Sequence, residues 1–483
     1  MEEFPVRVLF FKSRDCVFCE PVERMVRKAI SRLFRNELVT LNVFDVDEHN
    51  ELIDEYKIKS LPCVIVDEVP VISGMANEKE VEEALMKGVL HGASYRAERL
   101  EVGAKQVFIE ANLNFVKSIN SKERIRINIG DYVHISNLQL ATISLLSLDA
   151  TAGNLLYSIG KLAGKTGAFT GLLYDIAPSL GDPYTSIEKN FRNFLIAIER
   201  FHIKQNELGV FDARNAEVME EDKDYGRIRI YESAAATGVP VIGEPICYFT
   251  AGMISGLAEA ILGETVHVAE RNCWGLGASY CEFELSLSKG ELERRKTAIH
   301  AKKGIEAREE SFSRLIKTLT RNMSQSVLEG RRIRVGISDY THIMNLQQQV
   351  TSIKLADPVA GFFLKLAGKR LGRIIAPRER LSVKEAILEL KNYMNSPLSL
   401  MSGIHSNCNI ERNDGERFMV TIESCAFASG QENIGVSLCE FETGIIEGFM
   451  EQSTGQSFSS REVECWGLGQ QHCAFQVEKE RFS

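Results

Sequence analysis

The sequence predicts a small α/β unit over residues 1–92, followed by two copies of a larger domain, 104–285 and 309–478, each opening in helices and ending in strands. Three observations carry this reading. Strand-like and helical runs alternate along the N-terminal stretch around a Cys-x-x-Cys. Beyond it, segments of sequence recur at a nearly constant offset. Finally, Cys247, Cys273 and Cys281 repeat as Cys439, Cys465 and Cys473, with gaps of 26 and 8 residues in both sets.

At 483 residues the chain is too long for one core, since a domain takes roughly 150 residues. With 44% hydrophobic and 25% charged residues, it has the composition of a soluble globular protein that buries cores without staples. A net charge of −9 argues against a nucleic-acid partner, which needs clustered Lys and Arg. No run approaches 18 apolar residues, so no membrane span is expected. MEEFPVRVLFF lacks the marks of a secretory signal. Eleven cysteines without export imply a reducing, cytoplasmic setting, where thiols serve redox chemistry or metal binding.

In the front unit VRVLFF (6–11) reads as a strand, followed by a helix over 20–33. A strand LVTLNVFDV and a helix over 49–56 come next. The strands CVIV and VPVIS flank Asp67-Glu68, and an amphipathic helix over 78–86 closes the unit. Cys16 and Cys19 fall between the first strand and its helix, where unpaired N–H groups and the helix dipole favour a thiolate. Two intervening residues let Cys19 attack a mixed disulfide formed at Cys16. Cys16 is thus the expected nucleophile and Cys19 the resolving thiol. A zinc knuckle or a redox fold that has lost its activity is the alternative.

This stretch resembles the thioredoxin/glutaredoxin superfamily. The resemblance implies that Pro62, just before the third strand, is a cis-proline beside the dithiol, leaving a backbone edge for substrate pairing. It also implies a redox partner protein. Two features depart from the family. Val17-Phe18 separate the cysteines, with Asp15 where thioredoxins usually place tryptophan. Cys63 follows Pro62 directly, either as a small buried side chain or as a third thiol of a redox or metal site.

The remainder repeats itself. GDYVHISNL (130–138) returns as SDYTHIMNL (338–346), KLAGK recurs at 161 and 365, and IAP ends at Pro178 and Pro377. Glu232-Ser233 aligns with Glu423-Ser424. Helices are expected over 104–121, 187–208, 308–328 and 383–394, with a charged helical linker over 286–308. His134 and His342 read as capping residues or, less simply, as pocket-lining ones.

Glu270 and Glu462 lie three residues before Cys273 and Cys465. Three thiolates and a carboxylate complete a tetrahedral site of the kind zinc accepts. The Gly-rich turn CWGLG lets the chain reverse so that the third cysteine returns beside the second. The alternative is a repeated set of apolar core cysteines. Cys408 and Cys425 occur in the second copy alone and read as buried small side chains, and His472, opposite Tyr280, is not expected as a shared ligand.

This constellation resembles the 4-vinyl reductase (4VR) domain, a family that includes a bacteriochlorophyll-biosynthesis protein, archaeal regulators and the sensing domain of phenol-responsive activators. The resemblance implies an α+β fold related to trafficking-complex subunits, and pairing as dimers or between the tandem copies. It also implies one Zn2+ per domain beside an apolar pocket, on Cys247, Glu270, Cys273 and Cys281, then on Cys439, Glu462, Cys465 and Cys473. The expected function is a redox-linked protein that binds or senses a small apolar or aromatic molecule. The alternatives are an enzyme or accessory protein of tetrapyrrole or cofactor metabolism, or an interaction scaffold. No dinucleotide-binding GxGxxG supports a reductase.

Overall fold

The structure, a computed structural model, describes residues 6–34, 38–98, 111, 124–126, 129–167, 187–207, 210, 212–294, 309–399, 407–412 and 417–480. The expected helix over 104–121, most of the linker over 286–308, and Pro178 lie outside the described residues. The chain divides into two compact units, Met1–Arg99 with Asp357–Phe362, and Leu100–Ala356 with Phe363–Ser483.

In the first unit β1 (Val6–Lys12), β2 (Val39–Asp45), β3 (Cys63–Val66) and β4 (Val69–Ser73) form a sheet in the order β2-β1-β3-β4. β1 and β2 run parallel, so a crossover must join them, and α1 (Cys19–Leu33) supplies it. α1 buries Cys19, Val22, Val26, Ala29 and Ile30, the spacing of a single helix face. A short helix α2 (Glu51–Glu55) follows β2. α3 (Glu78–Glu98) runs well past the expected end at Met86. The cause is an apolar stripe that continues at four-residue steps, with Val81, Leu85, Val89, Ala93 and Ala97 all fully buried.

In the second unit each repeat follows one plan. The first has β5 (Tyr132–His134), α4 (Ile135–Leu146), α5 (Ala152–Gly167) and α6 (Ile187–Glu207). Then come β6 (Asn215–Glu221), β7 (Tyr225–Tyr231), α7 (Tyr248–Leu262), β8 (His267–Asn272) and β9 (Cys281–Ser286). α8 (Lys289–Arg294) and α9 (Glu309–Glu329) precede the second repeat. That repeat has β10 (Tyr340–His342), α10 (Ile343–Ala356), α11 (Pro358–Ile375), α12 (Val383–Met394), β11 (Cys408–Arg412), β12 (Arg417–Ile422), α13 (Glu440–Thr454), β13 (Phe458–Glu464) and β14 (Cys473–Lys479). The sheets match strand for strand, β6-β7-β9-β8 and β11-β12-β14-β13.

The repeats meet in one unit through an antiparallel ribbon of β5 and β10, Tyr340 opposite His134 and His342 opposite Tyr132. Each end is closed by a bond to the other repeat's aspartate: Ile135 N–H donates to Asp339 O (2.9 Å) and Ile343 N–H to Asp131 O (2.8 Å). The Asp131 carboxylate accepts from Ile125 and Arg126 N–H, and Asp339 from Ile333 and Arg334 N–H. His134 caps α4 by accepting from Ser136 N–H at Nδ1, and His342 accepts from Met344 N–H in the same way. Each ring stands edge-on to a tyrosine of the other repeat, His134 to Tyr340 and His342 to Tyr132. This is the self-complementary pattern of a two-fold interface, written here within one chain.

Glycines bring two helices of each repeat into backbone contact. A Cβ at Gly160 or Gly164 on α5 would meet a carbonyl of α7 at 2.2 Å, and one at Gly252 or Gly256 on α7 would meet a carbonyl of α5 at 2.1 or 1.9 Å. Gly368, Gly372, Gly444 and Gly448 play the same part between α11 and α13. The KLAGK lysines flank this contact. Lys161 and Lys165 both pair with Glu259, while Lys365 and Lys369 both pair with Glu447.

Candidate redox and metal centres

The dithiol sits where β1 hands over to α1. Cys16 is half-buried and Cys19 buried, and the two form a disulfide. Val17 and Phe18 between them are 79% and 48% exposed, an apolar rim around the one sulfur that a partner can approach. Leu61–Pro62 is a cis bond, and Pro62 O accepts from Gly74 N–H, next to Met75, which is 73% exposed. Cys63 points into the core with Leu9, Phe11, Val46 and Ile65, and burial pushes its thiol above the usual range. It takes the place of a small buried side chain.

In each repeat the ligand atoms of the four expected residues converge. For Cys247, Glu270, Cys273 and Cys281, and again for Cys439, Glu462, Cys465 and Cys473, all lie within 4.8 Å of one another. Cys247 is the N-cap of α7 and Cys439 that of α13, so each sulfur sits at the positive end of a helix. The third cysteine opens the last strand. Between them, CWGLG forms a single 3-10 turn closed by Gly277 at φ +95° and Gly469 at φ +91°, a conformation that favours glycine. Ala278 N–H and Gln470 N–H return to the carbonyls of Cys273 and Cys465, completing the reversal expected from the sequence.

A glutamate three residues before a cysteine would face the opposite side of a regular strand, because side chains alternate. A bulge resolves this in both repeats. The register of β8 on β9 shifts between Glu270 and Asn272, and that of β13 on β14 between Glu462 and Glu464. One extra residue turns glutamate and cysteine to the same side.

The carboxylates are set for a ligand. Glu270 Oε2 accepts from Cys247 N–H (2.9 Å) and Glu462 Oε2 from Cys439 N–H (2.8 Å). The other oxygen of each, Oε1, is buried without a hydrogen-bond partner, a state that costs free energy unless something binds it. Without a cation the crowded groups cannot all ionise. Burial pushes both Glu270 and Glu462 well above the carboxylate range. Hydrogen bonds from Cys439 and Cys473 hold Cys465 down to about 3, so one thiolate accepts from two thiols. A divalent ion would replace those protons. Donor types, burial and the orphaned oxygens fit a metal ion in each repeat.

The second repeat holds more than the sequence reading assigned. Cys425 Sγ lies 3.5 Å from Cys439 Sγ and 3.4 Å from Glu442 Oε1. The signal for Glu442 was available: Cys439-x-x-Glu442 at a helix start places both side chains near one helix end. Cys408 instead packs its sulfur against Met394 Sδ, and His472 pairs at the surface with Glu464.

A cavity of about 120 Å³ opens beside the first centre. Leu138, Ile198, Phe201, Ile230, Phe249 and Met253 line it, with His202, Gln205 and Asp212 as polar members. His202 Nδ1 and Gln205 Oε1 are buried without hydrogen-bond partners, and burial holds the His202 ring below its ordinary pKa. Phe249 and Thr250 of the lining follow Cys247 on the first turn of α7.

Dithiol, cis-proline and sheet order define a thioredoxin-like domain, and the repeated turn and four-ligand clusters define the units behind it as a tandem pair. The chain matches the thioredoxin domain family over residues 5–86 and the 4-vinyl reductase (4VR) domain family over 227–287 and 418–479. It therefore contains one thioredoxin-like and two 4VR domains.

It is 35% identical over 98 residues to the uncharacterized protein MJ1642 of Methanocaldococcus jannaschii, covering 20% of this chain and 55% of that protein. It thus spans about half the length of that relative. It is 24% identical over 155 residues to MJ0150 of the same organism, covering 32% of this chain and 76% of that one. Among solved structures it is similar to a vinyl-4-reductase family protein of Methanocaldococcus jannaschii, with 24% identity, TM-score 0.17, and 27% and 66% of the two chains covered. It is also similar to the phenol-responsive sensory domain of the activator PoxR, with 14% identity, TM-score 0.22, and 33% and 79% covered. Among the described residues no helix is long and apolar enough to cross a membrane.

Proposed function

We propose that the chain is a redox-linked small-molecule-binding protein in which the 4VR pair takes up a small, mostly apolar or aromatic ligand and the front domain exchanges electrons with a partner protein. The observation that carries the reading is the cavity of the first repeat. Its walls are apolar, and two buried polar atoms on it, His202 Nδ1 and Gln205 Oε1, have no protein partner. Such atoms suit a ligand hydroxyl or amine. A cavity near 150 Å³ is on the order of what holds a benzene ring, so about 120 Å³ suits a single aromatic ring.

Zinc is the metal that best matches three thiolates and one carboxylate. Cys247, Glu270, Cys273 and Cys281 would hold one ion, and Cys439, Glu462, Cys465 and Cys473 another. With four protein ligands the ion is structural: it fixes the start of α7 or α13 against the last strand. The domain assignments 1–92, 104–285 and 309–478 follow this division of labour.

In the front domain the Cys16 thiolate attacks a partner disulfide and releases one partner thiolate. Cys19 then displaces the second, leaving the Cys16–Cys19 disulfide and a reduced partner. Val17, Phe18 and Met75 give the partner an apolar surface.

Native mass spectrometry of the full chain, incubated with phenol as probe, tests ligand binding. A phenol adduct on the wild type, lost when Ala235→Phe fills the cavity, is the expected result. An equal adduct on both proteins, or none on either, would refute the cavity as the binding site.

A further inference from the structure

We propose that the second repeat holds a two-ion, thiolate-bridged centre, with Cys425 and Glu442 binding a second divalent cation through a shared Cys439, while the first repeat holds a single ion. The inference rests on the reading that Cys439, Glu462, Cys465 and Cys473 bind a divalent metal.

Cys425, Cys439 and Glu442 form their own cluster, with ligand atoms within 4.8 Å of one another. Two sulfurs on one tetrahedral zinc lie about 3.8 Å apart, given Zn–S bonds near 2.3 Å. The Cys425–Cys439 and Cys439–Cys473 separations, both 3.5 Å, are close to that figure on either side of Cys439. Cys439 is therefore placed to bridge.

Glu442 supports the assignment independently. It is fully buried (0% exposed), one oxygen faces Cys425, and Oε2 has no hydrogen-bond partner. A buried carboxyl left with an empty oxygen is costly unless a cation or donor fills it. The first repeat shows what the site looks like without these groups. Cys425 aligns with Ala234 and Glu442 with Thr250, so neither extra ligand is present.

Charge balance points the same way. Three thiolates and a carboxylate around one divalent ion leave two net negative charges in the first repeat. Four thiolates and two carboxylates around one ion would leave four in a buried pocket, and a second ion restores two. The guanidinium that faces Cys425 belongs to Arg126, which also donates to Tyr132 O, so it offsets one charge at most. The ligands suit a thiophilic divalent ion such as zinc or cadmium, which on binding displaces the thiol protons into solvent.

The test is the zinc content of the reduced full chain, loaded with Zn2+, freed of excess by dialysis and measured by elemental mass spectrometry against protein. Three equivalents are expected in the wild type and two in both Cys425→Ala and Glu442→Thr, which restore the residues of the first repeat. Two equivalents in the wild type, unchanged in the variants, overturn the second ion and leave the one-ion centres standing. Zero equivalents overturn both readings. A third equivalent that survives in both variants is bound elsewhere and also overturns the proposal, as does a Cys425–Cys439 disulfide in the loaded protein. Cadmium-113 NMR of the wild type needs no variant: three resonances, two of them coupled through a common cysteine, are expected, and two uncoupled resonances refute the bridge.

Discussion

Acid should loosen the joint between the repeats through its two histidines. Burial pushes both His134 and His342 from 6.5 down to about 4. Each faces charges of the opposite repeat: Asp339 attracts a proton to His134 and Arg334 repels it, while Asp131 and Arg126 act likewise on His342. Protonation at Nδ1 also removes the acceptor for Ser136 or Met344 N–H. The folded pKa lies below the unfolded one, so the unfolded state takes up protons first. The stability contributed is complete above the unfolded value and is lost as pH falls from 6.5 towards 4. A shift of that size is worth about 3 kcal/mol per histidine at the acid limit, and about 2 kcal/mol is already lost at pH 5.

The loss is smaller for His342, whose ring is partly exposed. The assay is urea unfolding of wild type and His134→Asn at pH 7 and pH 5. Asparagine can accept the capping bond but does not titrate. Wild type should lose about 2 kcal/mol more than the variant over that interval. Equal losses, or an NMR titration placing the His134 ring near its ordinary value, would refute the argument.

Three further outcomes are expected. Gly256→Ala drives a Cβ to 1.9 Å from Lys161 O and should cost roughly 3 kcal/mol, measurable as a fall in denaturation midpoint, whereas Gly263→Ala, with no atom within 4 Å, meets no such clash and is limited to the strain of its positive φ. Cys16→Ser should abolish reduction of a model protein disulfide while Cys63→Ala, buried in the core, keeps it; retained activity in the serine variant would remove Cys16 as nucleophile. Cys273→Ser should release one equivalent of zinc and destabilise the first repeat by several kcal/mol, and an unchanged metal content would exclude Cys273 as a ligand.

Much of this architecture is written in spacing. The dithiol, the proline and the paired cysteine intervals are legible because each depends on residue type at a fixed separation. The bulges before Cys273 and Cys465 are not. They add no distinctive residue, and without them Glu270 and Glu462 would face away from the metal. The glycines of α5 and α7 were visible within KLAGK, but their role depends on which helix lies opposite, and that is a tertiary fact. Cys425 misled because its counterpart is Ala234. A position that is small in one copy reads as small in both, and the meaning of the thiol emerges only with Glu442 facing it across the fold.

The crossed ribbon of β5 and β10 has one more consequence. Where two identical subunits associate, any change must be made on both sides of the axis. Joining the partners head to tail along one polypeptide lifts that restriction: either half can be altered while its neighbour keeps the original form. The added thiol and carboxyl found in only one half are a change that a true homodimer could not make alone.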